Sequence, residues 1–309
     1  MKSNQLRIFI ALLLAVGLTS CMKDLSDQEA TDAPLRNNQE IKNHLLANQL
    51  QDSVTATATG LYYIITPSLP NAKKATPAEE LEFTYVLSYI DTNTSKAVLV
   101  DSTNRTKPVY IPFLTGVVIP GLEEGLLLMK EGQTGRFYIP SNIAFGSDTR
   151  DGKMPRYSAV IFDVKLKRSR TQLQQMDDFA SIKKLSRPDA TVQAGTTSTD
   201  SVRVYRLTKG TGAKINEGQT VTVAYTANTL RGATPFDKSD SLTVKLGSGQ
   251  YITGFDRGIA QLSVGDKAWL VFPSGIGYGS QGSYDQSKGY YIVPPYTPLA
   301  FEITVKSAK

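Results

Sequence analysis

Residues 119–147 read IPGLEEGLLLMKEGQTGRFYIPSNIAFGS and residues 252–280 read ITGFDRGIAQLSVGDKAWLVFPSGIGYGS, two segments that align without a gap 133 positions apart. Nine positions are identical, and three of them form a G-x3-G-x6-G frame: Gly121, Gly125 and Gly132, then Gly254, Gly258 and Gly265. Glycine is kept where a side chain is hardest to accommodate. Solenoid repeats recur every 20–50 residues or so, so a period of 133 means two copies of a whole domain. A chain of 309 residues has room for two, each large enough to bury its own core. Its 40% hydrophobic and 20% charged residues are those of folded protein and exclude a disordered chain.

The first 20 residues differ from the rest. Lys2 and Arg7 precede the apolar run IFIALLLAVGL, and Leu18-Thr19-Ser20-Cys21 follows. That order of charged, apolar and small residues predicts a secretory signal over 1–20, too short for a spanning helix. The LTSC stretch resembles the lipobox of bacterial lipoproteins, which implies lipid on Cys21. Cys21 is the only cysteine, which fits an anchor and excludes an intramolecular disulfide or a cysteine metal site. Membrane attachment through lipid on Cys21 is therefore expected, at the cell envelope and by default on the outer membrane facing the periplasm, with surface display left open. Without Lys2 and Arg7, the formal charge of +6 falls by two, too dilute over this length to argue for nucleic acid. The densest basic stretch, Lys165 to Arg170, ends an alternating run and reads as a solvated strand end.

Residues 21–55 read as a tether, polar and proline-interrupted over 22–38, and then a leading helix over 39–50 with Ile41, Leu45 and Leu46 on one face. A β-rich core follows over 56–170, a helical linker over 171–196, and a second core over 197–309. Alternating strands stand out in GLYYIIT, LEFTYVLSYI and SAVIFDVKL of the first core, and in VRVYRLT, QTVTVAYTANT and LAFEITV of the second. Within the cores only the repeated segment has a helical stripe, Leu122, Leu126 and Met129, then Phe255, Ile259 and Leu262. The expected fold is α+β: two tandem domains, each a curled antiparallel β-sheet wrapped over one short α-helix.

Five elements of the second core carry a resemblance. They are VTVAYTA at 221–227, PFD at 235–237, QYITGFDRGIAQLSVGDKA at 250–268, FPSGIGYG at 272–279 and IVPPYTPLAFEITV at 292–305. In this order and spacing they resemble FK506-binding-protein-type (FKBP) peptidyl-prolyl cis-trans isomerase domains, and the first core repeats the pattern. The resemblance implies an apolar pocket for a prolyl ring, floored by an aromatic residue of the short helix. Carried over, the second pocket is lined by Tyr225, Phe236, Asp237, Tyr251, Ile252, Phe255, Tyr278, Val293 and Phe301. The first uses Tyr85, Val100, Asp101, Val118, Ile119, Leu122, Phe145, Met154 and Phe162. The floor, often tryptophan in the family, is Phe255 in the second copy and Leu122 in the first. The first copy also has Val100-Asp101 for the family's Phe-Asp, Phe145 for its tyrosine, and Met154-Pro155-Arg156 for its I-x-P-P turn, and so is read as degenerate. In the second copy the loop from Gly279 to Val293 is six residues longer than its counterpart from Gly146 to Met154 and carries Tyr284, Tyr290 and Tyr291. Such a loop either widens contact with a bound chain or blocks the pocket.

What this implies is isomerisation of Xaa-Pro bonds in unfolded, secreted or envelope proteins, mainly by the second domain, with macrolide-type compounds as candidate ligands. Tyr278 OH and the Ile252 N–H would hold substrate carbonyls, and Asp237 would orient pocket groups. Taken singly, Phe301 and Tyr225 are ordinary core residues on alternating strands; together, at this spacing, they are a pocket. The other reading is a non-catalytic chaperone or binding module that grips proline-containing segments, and a structural protein without pocket function is a third. The residues support no cofactor and no metal: the sole histidine, His44, lies in the leading helix, and no phosphate-binding loop occurs. Glu123-Glu124 reads as a solvated helix face, because adjacent helical positions do not face each other.

Overall fold

The structure, a computed structural model, describes residues 28–68, 70–103, 107–113, 116–195 and 199–309. The expected signal segment, Cys21 and the start of the tether lie outside the described residues. Contacts divide the described residues into two compact units, one formed by those within 28–75, 82–110 and 116–168, the other by those within 76–81, 111–113 and 169–309.

The first sheet is built from β1 (Thr55–Ala56), β2 (Tyr62–Ile65), β3 (Glu80–Ile90), β4 (Ala97–Ser102), β5 (Val109–Pro112), β6 (Thr134–Ile139) and β7 (Val160–Arg170). Its order is β1-β2-β6-β7-β3-β4, with β5 paired to β3. The second contains β8 (Ala190–Gln193), β9 (Ser201–Thr208), β10 (Thr220–Thr229), β11 (Asp237–Lys245), β12 (Lys267–Phe272) and β15 (Leu299–Ala308). Its order, β8-β9-β12-β15-β10-β11, is that of the first sheet strand for strand. The pairings β2–β6, β6–β7 and β3–β4, like β9–β12, β12–β15 and β10–β11, are antiparallel. A separate hairpin joins β13 (Ser283–Asp285) to β14 (Tyr290–Val293).

Four α-helices, α1 over 28–47, α2 (Pro120–Leu127), α3 (Gln172–Ile182) and α4 (Thr253–Ile259), and two 3-10 turns, Ser141–Ile143 and Ser274–Ile276, complete the described chain. The two short helices, α2 and α4, are the repeated segments, and their stripes are buried as expected: Leu122 and Phe255 are 3% and 2% exposed. The glycine frame has a direct steric cause. A Cβ on Gly121 would lie 2.3 Å from Ile139 Cγ2, and one on Gly125 2.7 Å from the Phe137 ring. In the second unit a Cβ on Gly254 would come within 2.4 Å of the Phe272 ring, and one on Gly258 within 2.5 Å of Leu270. The last glycine of each frame is needed for another reason: Gly132 and Gly265 have φ of 84° and 91°, a region closed to most side chains.

The longer helices, α1 and α3, cover other sheet surfaces. In one cluster Ile41 and Leu45 of α1 pack with Tyr138 and Ile161; in another, Met176, Phe179 and Ala180 of α3 pack with Tyr205, Trp269 and Val271. On β12, Trp269 and Val271 alternate with Leu270 and Phe272, which the glycines of α4 touch, so strand alternation gives each helix its own face. Four expectations need correction. Leu46, expected on one face with Ile41 and Leu45, is 66% exposed because it stands more than a quarter of a turn past Leu45. Helix α1 runs over 28–47 rather than 39–50 because Ala33, Asn37, Ile41 and Leu45, spaced by four, form one buried stripe despite Pro34. Residues 190–193, read as linker, are strand β8, since Ala190 and Val192 pack on the second core. Arg170, read as solvated, is 3% exposed, because Glu80 and Asp178 neutralise it with bonds of 2.5 and 2.6 Å. Glu123 and Glu124 have separate partners, the Gly116 N–H and the Thr59 hydroxyl.

The glycine contact gives a stability test. Gly254→Ala should destabilise the second unit by about 1–3 kcal/mol through overpacking, read as a lower denaturant midpoint. Gly195→Ala, with nothing within 4 Å of its Cβ position, is the control; equal effects would refute the steric account.

Candidate functional site

The second pocket is assembled by strand register. On β10 and β15, Ala227 stands opposite Phe301 and Tyr225 opposite Ile303; on β12, Leu270 is opposite Phe301. Directly opposed residues share a face, so Tyr225, Phe301 and Leu270 all point toward α4. Ala227 also faces Asp237, and its carbonyl accepts the Phe236 N–H at 2.9 Å, which brings Phe236-Asp237 in from the neighbouring edge.

The rings then meet. Phe255 of α4 lies 5.3 Å from Phe301, 5.7 Å from Tyr225 and 5.8 Å from Tyr251. Phe236 stands edge-on to Phe301 at 6.1 Å and to Tyr278 at 6.3 Å, and Phe272 stacks on Phe301 at 5.6 Å. Val293 is buried in the same cluster, and Ile252 is the N-cap residue just before α4. All nine residues carried over to the second copy are thus in one place, with Phe255 and Phe301 buried and Tyr225, Phe236, Tyr251 and Tyr278 half-buried.

The pocket's three tyrosine hydroxyls differ in their bonding, and that of Tyr251 donates to the Thr243 carbonyl at 3.4 Å. Tyr225 donates to Asp237 Oδ2 at 2.6 Å, and burial, then that carboxylate, pushes its phenol well above the ordinary tyrosine range. The Tyr278 hydroxyl makes no hydrogen bond among the described residues. Burial, then the Asp237 charge, raises its pKa also, so near neutral pH it is a protonated donor. The first N–H groups of a helix have no intrahelical acceptor, which leaves the Ile252 end of α4 as a second source of donors. The set can bind a carbonyl-bearing apolar group; it has no nucleophile–base pair.

The first pocket keeps the frame with fewer rings. Tyr85 donates to Asp101 Oδ2 at 2.7 Å and lies 5.6 Å from Phe162, which is 6.5 Å from Phe145. Burial first, then the Asp101 hydrogen bond, pushes the Tyr85 phenol up to about 12. Leu122, Met154 and Phe162 are buried, Ile119 is the N-cap residue of α2, and Val100 and Val118 are half-buried. Where the second pocket has the ring of Phe236, this one has the smaller Val100. Its mouth has a charge instead: the Arg150 guanidinium lies 4.9 Å from the Phe145 ring centre.

The long loop of the second copy is the β13–β14 hairpin. Asp285 caps its turn by accepting the Ser287 N–H at 3.0 Å, and Tyr284 stands edge-on to Tyr291 at 5.0 Å. Tyr284 and Tyr290 are 51% and 54% exposed, while Val293 at the hairpin's base is buried in the pocket cluster. Sequence reasoning missed four residues that hold these loops. Tyr157 and Tyr296 close them by donating their N–H to the Gly146 and Gly279 carbonyls at 2.7 and 2.9 Å, each with a left-handed φ, 53° and 54°. A shared Pro-x-Tyr ending, Pro155-Arg156-Tyr157 and Pro294-Pro295-Tyr296, was the available signal. Asn37 and Gln172 hold the turns that precede the loops, and no local pattern marks them.

A family model described as FKBP-type peptidyl-prolyl cis-trans isomerase matches residues 71–167 and 211–306. The human protein "Peptidyl-prolyl cis-trans isomerase FKBP9" is 29% identical over 207 residues, 65% of this chain and 30% of that protein. The chain therefore spans under a third of that relative's length. An "FK506-binding protein" of Neisseria meningitidis serogroup A is 36% identical over 107 residues, 33% of this chain and 92% of the relative. The three FKBP domains of wheat FKBP73 match with a TM-score of 0.37 and 18% identity, over 82% of this chain and 99% of that one. With the family's domain present in both halves and a ring-lined pocket in the second, the chain belongs to the FKBP-type peptidyl-prolyl cis-trans isomerase family.

Proposed function

We propose that the chain isomerises Xaa-Pro bonds of unfolded or envelope proteins, with the second pocket as the working site and the first as a degenerate copy that binds chains. The observation that supports this most is the cluster of Phe236, Phe255 and Phe301 beside the uncommitted Tyr278 hydroxyl. Prolyl isomerisation needs neither proton transfer nor a nucleophile. Its barrier, about 20 kcal/mol, is rotation about a C–N bond with partial double-bond character.

Water stabilises the planar, polar amide, whereas a dry aromatic pocket favours the twisted, less polar one. This is preferential binding of the transition state, and about 4 kcal/mol of preference gives roughly a thousandfold acceleration. Tyr278 would donate to a substrate carbonyl, and Asp237 would act through Tyr225, whose hydroxyl it already holds. In the first pocket the smaller Val100 and the hydroxyl-free Phe145 favour binding without catalysis. Macrolide-type compounds, to judge from the name of the Neisseria relative, would compete for the second pocket.

The rate is tested by NMR exchange on an Ala-Phe-Pro peptide with the full chain. The wild type should accelerate cis/trans exchange, and Tyr278→Phe with Asp237→Ala should lower kcat/KM by about tenfold or more, the scale of one lost transition-state hydrogen bond. Asp101→Ala should leave the rate unchanged. Between about pH 6 and 9 the rate should be flat, since tyrosines held above their ordinary pKa remain protonated there. Saturable peptide binding without acceleration would instead support the non-catalytic module.

The LTSC stretch supports attachment to the bacterial envelope through lipid on Cys21, facing the periplasm. Among the described residues no helix is long and apolar enough to cross a membrane. Fatty-acid labelling that is lost in Cys21→Ser would bear this out; equal labelling of the variant would sink it.

A further inference from the structure

In each unit the pocket's loop tyrosine, or its counterpart, stands on a turn that begins with a buried serine. In the second unit Ser274 is 3% exposed, and its carbonyl accepts the N–H groups of Gly277 at 2.8 Å and Gly279 at 2.7 Å, the two neighbours of Tyr278. The serine is itself held from α3: its N–H donates to Gln172 Oε1 at 2.6 Å, and Gln172 Nε2 donates to its hydroxyl at 2.9 Å. Gln172 is not needed to start the helix, because Thr171 and Gln174 cap it reciprocally.

The first unit repeats the device with a different residue. The Ser141 carbonyl accepts the N–H groups of Ala144 at 3.1 Å and Gly146 at 2.9 Å, either side of Phe145. The Ser141 N–H donates to Oδ1 of Asn37, on α1, at 2.8 Å. Asn37 is fully buried, and its Nδ2 donates to Glu40 Oε2 at 2.9 Å and to the Tyr157 carbonyl at 3.0 Å, so it also ties down the far end of the loop. A buried N–H is costly to leave unpaired, so the side chain that supplies its acceptor determines where the turn sits.

We propose that Gln172 is a positioning residue of the second pocket and Asn37 of the first: an amide on the leading helix fixes the serine turn, and the serine carbonyl fixes the residue that faces the bound proline. The inference rests on the pocket reading of Tyr278. It makes each leading helix part of its pocket's support rather than a tether or linker.

The test uses the full chain with Gln172→Ala, Gln172→Asn and Gln172→Glu, reading kcat/KM and KM for the Ala-Phe-Pro peptide and the NMR signal of the Tyr278 ring. Ala lacks both bonding atoms, and Asn is one methylene too short. Both should displace the Tyr278 signal and lower kcat/KM by roughly 3- to 10-fold, mainly through KM. In Glu one carboxylate oxygen still accepts the Ser274 N–H and the other accepts from its hydroxyl, so rate and signal should stay near wild type. A wild-type signal and kcat/KM in Gln172→Ala would overturn the proposal, as would a loss in Glu equal to that in Ala. Should Ala unfold the second unit, the contrast between Asn and Glu decides. If the wild-type chain does not isomerise the peptide, the functional reading fails, while the Tyr278 signal still tests the positioning.

Discussion

Each unit depends on a helix turn whose bare glycine backbone rests directly on the side chains of a strand. Gly254 and Gly258 seat α4 on Phe272 and Leu270; Gly121 and Gly125 seat α2 on Ile139 and Phe137. The close approach lowers Phe255 onto Phe301 and Tyr225, so the packing that stabilises the sheet also builds the pocket floor. A repeated frame of glycines is therefore a condition on the site as well as on the fold. It accounts for the glycines standing at the same places in two copies 133 positions apart while most residues between them differ.

The two copies have kept their backbone devices and changed their side chains. Strand order, the left-handed tyrosines at 157 and 296 and the serine-led turns recur in both. What differs is what the pocket offers a ligand: Phe255 against Leu122, Phe236 against Val100, Tyr278 against Phe145. The phenol–carboxylate pair survives in both, as Tyr225–Asp237 and Tyr85–Asp101, at 2.6 and 2.7 Å. Since neither pair abstracts a proton in the proposed reaction, its retention marks a part of the pocket's shape rather than of its chemistry.

Strands, short helices and the ring set were legible because each has a local period or fixed spacing: two for β10, between three and four for Leu122, Leu126 and Met129. The early start of α1 was hidden by polar residues around Pro34, although Ala33, Asn37 and Ile41 form its buried face. Strand β8 was hidden because four residues in a Thr/Ser-rich stretch carry too little pattern. The hairpin in the long loop is set by Asp285 and by Gly282, where a Cβ would meet the Val293 carbonyl at 2.5 Å. Least legible were Asn37 and Gln172, whose partners lie 104 and 102 residues away and leave no mark on neighbouring sequence.

The central claim, that one fold serves twice but only its second copy offers a complete prolyl site, is tested most directly by titrating the isotope-labelled full chain with the Ala-Phe-Pro peptide and following both pockets at once. The account predicts that backbone signals of Gly254, Phe255 and Tyr278 shift and saturate first, with those of Gly121, Leu122 and Phe145 moving only at higher peptide concentration. Saturation at Leu122 and Phe145 with the second pocket silent would contradict it.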